Sequence, residues 1–181
     1  METPLLFALV QSLTALWHVV AFAGGMFAIG FNYRSLLGLG AYETRWGRRI
    51  RQADRHLWLS GFAIIAIGMA ASGLESYLAN PKLWTKCIVI AVWLASSIVI
   101  RRVAAPRMIK GDRTPMLAAC SVSLGCWIYG AFLGCAKPLA HGVARFPELL
   151  AGFALTLALC MATTFILNAR PGPHGKPLPH D

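Results

Sequence analysis

Five stretches of this chain are almost continuously apolar, and short segments bearing most of its charge separate them. They run from Leu5 to Phe31, Leu57 to Leu78, Leu83 to Ile100, Met116 to Cys135 and Leu149 to Leu167. A helix needs about 20 apolar residues to cross the hydrocarbon of a bilayer. The pattern therefore predicts an all-α integral membrane bundle of about five transmembrane helices over residues 1–168, with a flexible tail over 169–181. The first run exceeds the necessary length, so it either tilts or lays its turns before Gln11 at the interface. Pro147 stands where the fifth helix begins, a position at which a missing N–H costs nothing.

Composition agrees with lipid as the solvent. Of 181 residues, 57% are hydrophobic and 13% charged, against about a quarter charged in an ordinary soluble domain. The length suits one domain, and no soluble domain is expected. The N-terminal Met-Glu-Thr-Pro lacks the basic segment of a cleaved signal peptide, so the first run is expected to remain as a span.

The formal charge of +10 would suggest nucleic acid in a soluble protein. Here no nucleic-acid motif accompanies it, and the cations sit between the spans. Six arginines (Arg34, Arg45, Arg48, Arg49, Arg51, Arg55) precede the second span, and Arg101, Arg102, Arg107, Lys110 and Arg113 follow the third. With Arg170 and Lys176 of the tail, thirteen cations fall on one side; Lys82, Lys86, Lys137 and Arg145 fall on the other. The positive-inside rule then predicts a bacterial inner (plasma) membrane protein with its N-terminus outside and its tail cytoplasmic. The partners expected are the bilayer, anionic lipids at the cytoplasmic face and other membrane subunits. Alkaline phosphatase fused within 137–146 should be active, and fused after the 101–113 loop it should be inactive. The opposite pattern would overturn the topology.

Trp46, Ile50 and Leu57 recur at near-helical spacing among the arginines, which predicts a short interfacial helix leading into the second span. The tail is too rich in Pro and Gly to fold alone. Gly130 and Gly134 permit close helix approach in the fourth span. Cys87, Cys120, Cys126, Cys135 and Cys160 form no zinc-type pattern and read as small hydrophobes. Of these, Cys87 and Cys135 fall near the outer face, where a disulfide is chemically permitted.

Polar groups within hydrocarbon are costly and so mark candidate sites. His18 lies deep in the first run, with Gln11 and Thr14 on its helical face, where they are expected to hold one ring nitrogen. Ala21, Ala23, Gly24 and Gly25 beside it would leave room for a flat macrocycle. Neutral imidazole is a standard axial ligand of haem iron; the alternative is a histidine hydrogen-bonded within the bundle. Lys86, near the start of the third span, is either a propionate- or proton-coupled cation or a lysine reaching the outer headgroups beside Glu75. His56 is placed at the cytoplasmic edge, a span's length from the outer face and apart from an outward-lying His18. His141, His174 and His180 are expected to be solvated.

The run Ala-Leu-Trp-His-Val-Val-Ala-Phe-Ala-Gly-Gly-Met-Phe, followed by Asn-Tyr-Arg-Ser-Leu, resembles the first helix of the small HemJ-like and CopD-like membrane proteins. In HemJ-like proteins a His precedes an aromatic and glycine stretch and then an Arg, as His18 and Arg34 do here. Trp84, Lys86 and Arg101-Arg102 match the family's third helix in outline. The resemblance covers about the first 115 residues; the Trp-to-Lys spacing is shorter, and a fifth span has no counterpart in a four-helix HemJ. It implies haem b on His18, with Arg34 and Lys86 as supporting charges, and oxidation of protoporphyrinogen or electron transfer as the activity. Two alternatives stand beside it: a non-catalytic subunit or assembly factor of a larger membrane complex, and copper or small-solute transport.

Overall fold

In hydrocarbon every backbone N–H and C=O must find its partner within the segment, which turns long apolar runs into helices. A computed structural model of the protein describes residues 3–38, 44–136 and 143–169. In these, α1 (Thr3–Leu36), α2 (Thr44–Ser72), α3 (Leu74–Leu78), α4 (Pro81–Val99), α5 (Ala105–Ile109), α6 (Thr114–Cys135) and α7 (Phe146–Ala169) follow one another. Five stretches among the described residues are long and apolar enough to cross a membrane: Leu5–Leu36, Gly47–Ser72, Pro81–Ile109, Thr114–Cys135 and Phe146–Ala169. The chain is an all-α membrane bundle. The tail, Lys137 and His141 lie outside the described residues.

The second and third spans differ from the apolar runs. Helix α2 begins at Thr44, so the expected interfacial helix is its first three turns, continuous with the span. Charged side chains end an apolar run, yet they do not interrupt the backbone ladder. The helix stops instead at Gly73, whose φ of 77° lies in the left-handed region that favours glycine. The short α3 then folds back, and the Tyr77 ring occupies space that a side chain at Gly68 would need.

Asn80 caps α4 by accepting the Lys82 N–H at 3.0 Å, with Pro81 in the first turn. Arg101 and Arg102 do not close this helix. It continues through a π-helical turn over Ile100–Ala104 into α5. Pro106 explains the turn: its ring cannot sit against the carbonyl four residues back, and the wider π geometry relieves the clash. Gly111, with φ of 91°, ends α5. Asp112 N–H donates to Arg107 O and Gly111 N–H to Met108 O, a Schellman pair.

Helices α1 and α2 pack as an antiparallel hairpin, while α4, α6 and α7 form a second group. The core of that group joins Val89 of α4, Cys126, Tyr129 and Leu133 of α6, and Leu149 and Phe153 of α7. Helix α6 connects the two groups. Its Trp127 lies against Phe22 and Gly25 of α1, and Gly130 admits the Phe22 ring at 3.7 Å. Gly134 faces open space, so the Gly-x-x-x-Gly spacing marks one contact and not two. At the arginine-rich end Thr164 of α7 is hydrogen-bonded to Ser121 of α6 at 2.6 Å and to Tyr33 of α1. The Arg113 guanidinium donates to Leu36 O, satisfying a carbonyl at the negative end of the α1 dipole. Cys87 and Cys135 are both exposed, free thiols.

Candidate functional site

His18 sits midway along α1, opposite Ser60 of α2, with its Nδ1 2.9 Å from the Ser60 Oγ. Seven residues further along α1, Gly25 faces Ala53, seven residues back along α2. One antiparallel register thus sets both contacts. Ser60 is fully buried, and its Oγ lies 2.6 Å from the His56 carbonyl.

That second distance decides the imidazole tautomer. A serine hydroxyl has one proton to donate and lone pairs with which to accept. At 2.6 Å from a carbonyl oxygen, the proton lies between the two oxygens. Ser60 then accepts from His18, which puts the proton on Nδ1 and leaves the ring's lone pair on Nε2. An imidazole held in this way through one nitrogen is oriented to bind a metal through the other. The Cε1 edge of the ring lies against α2 at Gly61, where an added Cβ would meet it at 3.8 Å, an ordinary contact.

Two expectations about the partners change. Thr14 donates to Val10 O on its own helix at 2.8 Å, and Gln11 is exposed, so neither holds His18. His56 is not a span's length away. It lies one turn from Ser60, with the Trp17 indole N–H 3.4 Å from its Nδ1 and the two rings edge-on at 6.0 Å. Because α2 starts at Thr44, His56 is already about 18 Å along the helix, at the level of Trp17 and His18.

The charge of Lys86 reaches His18 across the bundle, and Arg34 lies a helix end away. The Lys86 ammonium, largely buried on α4, is near enough for its charge to act on the His18 ring. Lys82, one turn earlier, is buried and donates from Nζ to Ala136 O at 2.9 Å, tying α4 to the end of α6. Arg34 stands exposed in the last turn of α1, about 24 Å along the helix from His18. Its charge there complements the C-terminal end of the helix dipole.

Of the small residues after His18, Gly25 is covered by Trp127. Ala21, Ala23 and Gly24 instead line an open groove of about 460 Å³ between α1 and α2.

Asp54 was not legible as a bundle residue in the sequence, because it precedes the apolar run that marks the second span. The earlier start of α2 carries it inside, where its Oδ1 is buried without a hydrogen-bond partner and Arg101 is the cation whose field reaches it.

No family model, no curated protein and no solved structure matches this chain.

Proposed function

We propose that this integral membrane protein binds haem b, that His18 would hold its iron, and that it serves electron transfer or porphyrin oxidation. The observation that carries the reading is the Ser60 hydroxyl, which holds Nδ1–H and leaves Nε2 available. What supports the group is an imidazole at mid-span whose Nδ1 is held by Ser60, with the charge of Lys86 acting on the ring from α4. Haem b, when bound, supplies one-electron redox chemistry. Ser60 orients the imidazole. The resemblance to HemJ-like proteins points the same way, and Arg34 enters as a charge at the far end of the same helix. The proposed setting is a bacterial inner membrane, N-terminus outside.

A second reading, as a subunit or assembly factor of a larger membrane complex, is favoured by α1. Leu5, Leu6, Leu9, Leu13 and Leu16 are all more than half exposed, and such a face meets either lipid or a neighbouring subunit. Copper or small-solute transport is the third reading, and it would need polar or Met-rich residues along one pathway, where the spans carry few polar groups.

The test is an absorption spectrum of the protein purified from haem-replete cells, oxidised and then dithionite-reduced. A Soret band with a sharp α band on reduction is expected. A colourless protein would sink the haem reading and leave the subunit reading in front.

A further inference from the structure

The groove between α1 and α2 has a polar end and an apolar end. Every residue lining it belongs to one of these two helices: Val20, Ala21, Gly24 and Phe27 along the apolar length, Arg49 and Gln52 beside them from α2. Arg49 is five residues from the start of α2, about 7 Å inside the arginine-rich end of the bundle. Val20 lies seven residues before Phe27, about 10 Å deeper along α1. The floor is shallow because the side chains there are small. A Cβ at Gly24 would meet nothing within 4 Å, so this part of the helix surface is open.

We infer that this groove is a binding site for one acidic phospholipid, its phosphate at Arg49 and Gln52 and an acyl chain along Gly24 toward Val20. Charge complementarity selects the occupant. Arg45, Arg48, Arg51 and Arg55 flank Arg49 on the same helix, so the mouth repels a cationic headgroup and attracts an anionic one. Gln52 supplies an amide N–H₂ that donates to a phosphate oxygen, and Arg49 contributes its positive charge beside it. A hydrocarbon chain lies along the shallow apolar floor next to small side chains and restores the van der Waals contacts that the open floor lacks. The lipid would thereby act as packing for the hairpin that carries His18, independently of what His18 binds.

Native mass spectrometry of the detergent-purified full chain tests this, with phosphatidylglycerol and phosphatidylcholine of identical acyl chains as probes. The wild-type protein should retain phosphatidylglycerol in a one-to-one complex and prefer it over phosphatidylcholine. Arg49→Gln should reduce that preference about fivefold, the effect of one basic side chain on anionic lipid. Gly24→Leu, which fills open space, should reduce retention of both lipids. Arg107→Gln, on exposed α5 away from the groove, should change neither. Equal retention of the two lipids by the wild-type protein would overturn the proposal. So would an Arg107→Gln effect equal to that of Arg49→Gln, since binding would then be diffuse attraction to the basic end. Circular dichroism and a single monodisperse peak for each variant separate a lost site from a lost fold.

Discussion

His18→Ala is expected to abolish the Soret band while the protein still inserts and accumulates, and Ser60→Ala to weaken haem retention about 10- to 100-fold. The second figure is the usual cost of removing the group that orients a metal-bound histidine. The two variants act differently. The first removes the ligand. The second leaves the ligand but frees its Nδ1, so the ring can turn and either nitrogen can carry the proton. Ser60→Thr keeps a hydroxyl at the same place and should retain most of the chromophore. Lys86→Ala should shift the spectrum or the potential without emptying the site, because its charge acts on the ring from α4 without holding it. If the His18–Ser60 contact were only packing, either alanine would lower bundle stability by about 0.6 to 2 kcal/mol, the range for hydrogen bonds between membrane helices. Spectra unchanged in both variants at normal abundance would exclude His18 as a ligand.

The second large effect is expected at Gly25. A Cβ there would come within 2.7 Å of the Trp127 Cζ3 and 3.2 Å of the Ala53 Cβ. The indole has nowhere to retreat: it is 5% exposed, with Phe22 at 4.9 Å between ring centroids and Trp93 edge-on at 6.2 Å. Gly25→Ala should therefore cost about 1 to 3 kcal/mol, the range for overpacking a filled core, and Gly25→Leu more. Gly24→Ala is the matched control. The neighbouring position has nothing within 4 Å, and replacing a helical glycine by alanine gains about 0.5 to 1 kcal/mol. Unfolding in mixed micelles, followed by tryptophan fluorescence, measures both. Equal destabilisation by the two alanines would mean that α1 does not meet α6 through Gly25.

The two predictions are linked through the register of the α1–α2 hairpin. Gly25, Ala53 and Trp127 set how deeply α1 seats against its neighbours, and the same register places His18 beside Ser60. A leucine at Gly25 should disturb the His18 site as well, two helical turns away. That coupling is mechanical and needs no change in any polar group.

What could be read from the amino acids alone was whatever the solvent dictates. About 20 apolar residues in hydrocarbon form a helix wherever they occur, so five spans and an all-α bundle followed from composition along the chain. The fourth and fifth spans were placed within three residues of α6 and α7 at each end. His18 stood out for the same reason, as a polar group in a place where polarity is costly. Hydropathy marks only where side chains stop being apolar, so the first turns of α2 showed as a separate interfacial helix and not as part of the span, and the π turn that carries α4 past Arg101 and Arg102 was missed. The tertiary structure decided who meets whom. A serine in an apolar run is unremarkable until a second helix places an imidazole 2.9 Å from it. Ser60 replaced Gln11 and Thr14 as the partner of His18, His56 moved to the level of Trp17, and Arg34 stayed a helix end away. Each of these depends on the register between helices. That register is set by steric contacts such as glycine against tryptophan, which the order of apolar and polar residues along one chain does not encode.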